Sequence, residues 1–518
     1  MFVVPDTGQI IEVARKLGIH VTAEEAVIYR EFLEVQLAAR DDFVQSRIEE
    51  ERPPLLYPAR EPGYRPNRAE DPLNAWTWKC RIEGAGEGIL AGRTISYKDQ
   101  VAIAGMPMSI GSFALDGFIP DFDATIVTRV LAAGGTVTGH NIQNGLGGGF
   151  GIGGGIGDYG RPLNPHNPDH VTGASSAGSA IAVAVSDVDI SFGGDQGGSI
   201  RIPAAMTGTI GLKPTFGLVS HFGVGFGTDQ SIDHTGPMAR TSADVAAALQ
   251  ATAGYDGYDP RQGRDVPESM DVLTGLDHGV QGLRIGVLEE GFHDVSPEVN
   301  DLVVAAIEVL AEQGAVVSKI SVPAHATAGI AQAALMPEGS RALFETGFYG
   351  AFTKTYYPAT LLAAVHRLWT EQPDLLAPRT KLGYIEAEFT RRTYHGRVYA
   401  KAQNSRPYYV KQFAKAFAEV DVLVMPTCPE TAPVYEAPGS YLEALRHDLI
   451  TSARTAARNT FTYNYTGHPA LAVPVGKLSG LPVSMQLVGR FFDDPLLLRV
   501  AYAYEHSVDW DAIIAVGS

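Results

Sequence analysis

Apolar residues follow two different rhythms along this chain. Near the start, Ile28, Phe32, Val35, Ala39 and Phe43 recur at helical spacing and form one stripe. Thr22-Ala23-Glu24-Glu25, just before it, has the form of a capping box, in which Thr22 and Glu25 each satisfy a free backbone N–H of the other. Asp6 and Gln9 cap a shorter first helix that stops at Gly18. The apolar stripe needs cover, either from the rest of the chain or from a second copy across a dimer. Six prolines between Pro53 and Pro72 then predict an extended linker wrapping a surface.

From Trp76 the rhythm changes to short apolar runs alternating with helical segments. Strands are expected over 90–97, 136–138, 188–192, 283–288, 315–322 and 421–426. Helices are expected over 123–133, stopped by Gly134-Gly135, and over 179–185. A further helix is opened by Ser296 as N-cap, with Pro297 in its first turn. Such alternation predicts an α/β fold: a mostly parallel mixed sheet covered by helices on both faces. Residues 325–415, rich in helix formers and aromatics, read as a helical cap. The expected organisation is thus an N-terminal helical extension and linker over 1–72 and one large α/β domain over 73–518.

Composition narrows the function classes. The 518 residues can bury a large core. A net charge of −18 argues against a nucleic-acid partner, which would want a basic face. No run of about 18 apolar residues is present to span a membrane. Met1 to His20 lacks a basic segment followed by an apolar run, so no secretory signal is expected. The two cysteines, Cys80 and Cys428, make neither a disulfide framework nor a metal-ligand pattern, which points to a reducing, cytoplasmic setting. No H-E-x-x-H or comparable set supports a metal, and no cofactor is expected.

The candidate chemistry sits in two glycine-rich serine segments and one lysine upstream. Ser175 lies in Gly173-Ala174-Ser175-Ser176-Ala177-Gly178-Ser179, and Ser199 in Gly193-Gly194-Asp195-Gln196-Gly197-Gly198-Ser199-Ile200-Arg201. Lys98 follows the expected strand at 90–97. A nucleophilic hydroxyl needs a base and a pocket of N–H donors, and glycines let a substrate approach the backbone closely enough to use them. Two rival readings are weaker. Ser176 makes a near miss to a G-x-S-x-G elbow but has no clear preceding strand. Gly149, Gly151 and Gly154 spell G-x-G-x-x-G, but the run from Gly145 to Gly157 is so rich in glycine that it generates that pattern by chance.

At these residues the chain resembles the amidase signature family of Ser–cis-Ser–Lys hydrolases. Gly211-Leu212-Lys213-Pro214-Thr215, Asp233 to Thr241, Thr466-Gly467-His468-Pro469 and Gly489-Arg490 extend the likeness from about residue 72 onward. The N-terminal extension and the ending look most like bacterial amidases often found with nitrile hydratases. The resemblance implies that Ser199 attacks an amide carbonyl, Ser175 in a cis peptide relays the proton, and neutral Lys98 is the base. It implies oxyanion donors among the N–H groups of Gln196, Gly197, Gly198 and Ser199, while Asp195 and Arg201, which match the family's Asp and Arg, either shape the loop or orient the catalytic groups. It assigns Gly149 and Phe150 to the wall of the acyl pocket. Tyr463 and Asn464 replace a more usual segment and either face the substrate or pack in the core. The implied partner is a small-molecule amide, and the implied assembly a homodimer. The alternatives are an amidotransferase component working with partner chains and a related C–N hydrolase acting on another amide-like bond. Departures from the family pattern are Ala174 and Ala177, where glycine is usual, and His140, where a lysine is usual.

Overall fold

The computed structural model describes residues 3–143, 158–225, 227–348, 353–437 and 456–517, together with 439–440, 442–443 and 445–446. It divides into two compact units, Met1–Arg52 and Pro53–Ser518.

The first unit holds helices Thr7–Lys16 and Ala23–Val44. Both capping boxes form. Asp6 Oδ1 accepts from the Gln9 N–H at 2.8 Å while Gln9 Oε1 accepts from the Asp6 N–H at 2.9 Å. Thr22 and Glu25 do the same at 3.2 and 2.8 Å. Gly18, at φ 76°, ends the first helix in the left-handed region that glycine adopts without strain. Nothing within this unit covers the stripe: Ile28, Phe32, Val35 and Phe43 are all exposed, Val35 to 71%.

The described residues of the second unit build one sheet of eleven strands: β1 Trp76–Ile82, β2 Thr94–Lys98, β3 Thr136–Asn141, β4 Ile190–Asp195, β5 Ile210–Lys213, β6 His234–Ala239, β7 Arg284–Leu288, β8 Val316–Ile320, β9 Val422–Pro426, β10 Ala470–Leu478 and β11 Leu481–Val488. Their order is β1-β3-β2-β4-β6-β5-β10-β11-β9-β7-β8. Parallel pairs join β2 to β3 and β4, and β7 to β8 and β9. The middle of the sheet, from β4 through β9, pairs antiparallel, as does β1 with β3. The sheet is mixed, with its two parallel blocks on either side of that middle. One physical reason is the hairpin β10–β11. Its two-residue turn, Ser479-Gly480, has both φ angles positive, the geometry that returns a twisted strand beside itself.

Strand β2 starts at Thr94 and not at Leu90, because a turn with Gly92 at φ 79° occupies residues 90–93. Helix Pro297–Glu312 opens as expected, with the Ser296 Oγ accepting from the Val299 N–H at 3.4 Å. Among the described residues of 325–419 there are four long helices, His325–Glu345, Ala359–Glu371, Pro378–Tyr394 and Arg397–Glu419. The proline-rich segment is anchored by Arg60, whose buried guanidinium pairs with the Asp123 carboxylate and donates to the Ala104 carbonyl at 3.0 Å. Among the described residues, no helix is long and apolar enough to cross a membrane.

Candidate active site

Parallel pairing of β2 with β4 brings the lysine to the serine loop. Tyr97 lies opposite Phe192, so Lys98, the last residue of β2, is level with the glycines at the end of β4. The rings of Tyr97 and Phe192 stack at 5.5 Å between centroids and lock that register. Reactive groups at the C-terminal ends of parallel strands are a general feature of α/β sheets.

The Lys98 side chain is buried, and its Nζ donates to Ser175 Oγ at 2.6 Å and reaches the Gly194 carbonyl at 3.4 Å. Burial pushes the lysine down to about 8, against the pull of the Asp233 and Asp195 charges. The peptide between Ala174 and Ser175 is cis. The Ser175 segment is pressed against its neighbours at two glycines. A Cβ on Gly173 would sit 2.7 Å from Pro203 Cα, and one on Gly178 would sit 2.3 Å from the Ala75 carbonyl oxygen. Ala174 and Ala177 fall between these contacts, at positions that accept a methyl group. The N–H of Ser176 donates to the Ser199 carbonyl at 3.2 Å and ties the two serine loops together.

The Ser199 loop is organised by one buried carboxylate. Asp195 accepts from the N–H groups of Gly198 at 2.7 Å, Ile200 at 3.1 Å and Arg201 at 3.4 Å. Its partner, Arg201, is wholly buried and donates to it through Nε at 3.0 Å and Nη2 at 2.9 Å. Burial alone would raise this carboxyl, but Arg201 and the Asn464 amide outweigh it and hold it well below the usual carboxylate range. Arg201 is satisfied in turn by Gln486 Oε1 at 2.7 Å and Asn464 Oδ1 at 2.6 Å.

The loop's carbonyls are held as firmly. The Asn464 amide donates to Asp195 O at 2.7 Å, Gln332 Nε2 to Gln196 O at 2.7 Å and Thr460 Oγ1 to Gly197 O at 2.6 Å. The Ile202 N–H donates to Gly198 O at 2.7 Å. What remains is a pattern among the N–H groups. Asp195 engages that of Gly198, whereas those of Gln196, Gly197 and Ser199 have no partner among the described residues. Both glycines are required sterically. A Cβ on Gly197 would lie 2.2 Å from the Phe461 ring, and one on Gly198, at φ 125°, would lie 2.4 Å from Thr460 Oγ1.

Other residues singled out by sequence fall as follows. Ser176 is wholly buried, with its Oγ donating to Gly194 O and accepting from Gly194 N–H, each at 3.2 Å, which leaves it no access to a substrate. Tyr463 is also wholly buried, its ring tilted against His325 and edge-on to Phe413 and its hydroxyl 3.4 Å from Met425 Sδ, so of the open pair only Asn464 hydrogen-bonds to the Ser199 loop. His140 is buried, its ring nitrogens 3.0 and 2.8 Å from the carbonyls of Pro107 and Val101. His234 and His468 are buried beside Ile232 O and Thr466 Oγ1, and burial pushes His468 down to about 3. Gly149 and Phe150 lie outside the described residues. Among the described residues, no three His, Cys, Asp or Glu side chains converge where a metal ion could sit. Gln332 and Thr460 clamp the loop, and no sequence motif marks either of them.

The sequence profile of the amidase family matches residues 68–498. An enantioselective amidase of Rhodococcus rhodochrous is 38% identical over 453 residues, covering 86% of this chain and 85% of that protein. A glutamyl-tRNA(Gln) amidotransferase subunit from Chloroflexus aurantiacus is 35% identical over 451 residues, covering 83% of this chain and 85% of that protein. Among solved structures, the native peptide amidase of Stenotrophomonas maltophilia superposes with a TM-score of 0.65 at 31% identity, covering 81% of this chain and 83% of that one. With its mixed sheet, its two tied serine loops and a profile match over most of its length, the chain belongs to the amidase family.

Proposed function

We propose that this chain hydrolyses a carboxylic amide to the acid and ammonia or an amine through an acyl-enzyme on Ser199. The observation that carries the reading is the 2.6 Å hydrogen bond between a buried Lys98 and Ser175, on a loop tied directly to that of Ser199. In its neutral form Lys98 takes the Ser175 proton as Ser175 takes that of Ser199, and Ser199 Oγ bonds to the amide carbon. The carbonyl oxygen becomes an oxyanion facing the open N–H groups of Gln196, Gly197 and Ser199. The proton then returns along the same path to the leaving nitrogen, the C–N bond breaks, and water hydrolyses the ester by the same steps in reverse. Gly198, whose N–H is held by Asp195, lends the loop its conformation and not a donor.

The sign of the pH dependence follows from the base. Burial favours the uncharged lysine, so kcat/KM should rise with pH through about 8 and level off above it. Lys98→Ala should lose most activity, and Lys98→Arg should not restore it, because arginine stays charged. Near-native rates in Lys98→Arg would reduce this residue to a positive charge and end the proposal for a lysine base.

The 35% identity to an amidotransferase component supports a second reading, in which partner chains take up the product. Release of ammonia or amine by the purified chain alone favours the hydrolase. The exposed stripe on the N-terminal helices supports a homodimer. Light scattering should then give twice the chain mass, falling to the chain mass in Phe32→Glu; an unchanged dimer would place the contact elsewhere.

A further inference from the structure

The oxyanion loop is held from outside its own segment by a residue of the helix His325–Glu345. Gln332 sits on the buried face of that helix, between Ala328 and Leu335, and is itself wholly buried. Its Nε2 donates to the Gln196 carbonyl at 2.7 Å. Its Oε1 has no hydrogen-bond partner among the described residues. The one bond that distinguishes a glutamine from a methionine of similar length here is therefore the bond to Gln196 O.

That carbonyl belongs to the same peptide plane as the N–H of Gly197. The peptide is trans, since the cis bond of the described chain lies at Ala174–Ser175. In a trans peptide the C=O and the N–H point in opposite directions. A donor fixed on the Gln196 oxygen thus aims the Gly197 N–H away from the helix and stops the plane from turning over. The next plane is fixed differently, with Thr460 on its oxygen and Asp195 on its N–H. Of the planes on either side of Gly197, only the one gripped by Gln332 keeps its N–H open.

We infer that Gln332 is a positioning residue of the oxyanion hole, acting through the Gln196–Gly197 peptide, and that the helix His325–Glu345 is thereby part of the catalytic device. The inference rests on the reading of Ser199 as nucleophile. Its physical content is preorganisation: donors fixed before the charge develops stabilise the transition state without reorganising. An intact donor removed from such a site costs about 10²–10³ in rate, so a donor left in place but free to turn should cost about 10- to 100-fold.

The test compares wild type with Gln332→Met and Gln332→Glu on one amide substrate, with a trifluoromethyl ketone of the same acyl group as a probe of the hole. In Gln332→Met, kcat should fall about 10- to 100-fold while KM stays within about twofold, and trifluoromethyl ketone affinity should fall in step with kcat. Gln332→Glu keeps the shape of the side chain. Its carboxylate repels the Gln196 oxygen, whereas its protonated form can donate to it. The ratio of its kcat to that of wild type should therefore rise as pH falls. Each variant is checked for an unchanged near-ultraviolet circular dichroism spectrum. Wild-type kcat and ketone affinity in a folded Gln332→Met would overturn the inference, as would a Gln332→Glu to wild-type ratio independent of pH. Those outcomes leave the nucleophile untouched. The reading of Ser199 fails separately, if wild-type enzyme forms its ketone adduct on another residue.

Discussion

The two serine loops share a composition and use their glycines for opposite purposes. Around Ser175, Gly173 and Gly178 are glycines because other backbone lies where a Cβ would go, 2.7 and 2.3 Å away. Around Ser199, Gly197 and Gly198 give way to side chains, Phe461 and Thr460, that grip the loop from outside. The Ser175 loop is therefore fixed by packing of backbone on backbone. The Ser199 loop is fixed by hydrogen bonds from a buried ion pair, Asp195–Arg201, and from the side chains of Asn464, Gln332 and Thr460, which together leave the N–H groups of Gln196, Gly197 and Ser199 open. In the proposed mechanism one loop presents a hydroxyl in one place and the other aims several dipoles at one point, and it is the second that more of the chain holds in place.

The largest loss is expected at the ion pair. Arg201→Met leaves the Asp195 carboxylate buried without its cation, a change that typically costs about 3–5 kcal/mol. Urea denaturation should show that loss, together with activity reduced well beyond it at temperatures where the variant stays folded. A stable Arg201→Met enzyme with normal kcat would mean the loop holds its shape without the pair.

The smaller effect lies in the Ser175 loop and runs by position. Gly178→Ala forces a methyl onto the Ala75 carbonyl and should destabilise by about 1–3 kcal/mol, whereas Ala177→Gly, one residue earlier, should cost about 1 kcal/mol or less. Thermal melts of the two variants check this. Equal costs would erase the distinction between the glycines that touch backbone and the alanines between them.

Much of this is legible in the sequence, for identifiable reasons. Capping boxes at Asp6/Gln9 and Thr22/Glu25 are local, so four residues suffice to read them. The strand carrying Lys98 reads correctly at its end and wrongly at its start, because Gly92 turns the chain inside an otherwise apolar run. The antiparallel middle of the sheet depends on which distant strands meet, and alternation of elements carries no record of that. Gly198 reads as a donor in the sequence, but the Asp195 carboxylate holds its N–H. Gln332 and Thr460 act on the loop from 136 and 263 residues away in sequence. The one local trace of Gln332 is a lone amide on the apolar face of a helix, between Ala328 and Leu335. Such a residue asks for a partner without naming it.

The proposed mechanism makes Ser199, and not its buried neighbour Ser176, the nucleophile. Labelling the intact protein with a fluorophosphonate, followed by peptide mass spectrometry, tests it directly. A single adduct is expected on Ser199, formed faster as pH rises through about 8 and absent in Ser199→Ala. An adduct on Ser176, or undiminished labelling and turnover in Ser199→Ala, would contradict it.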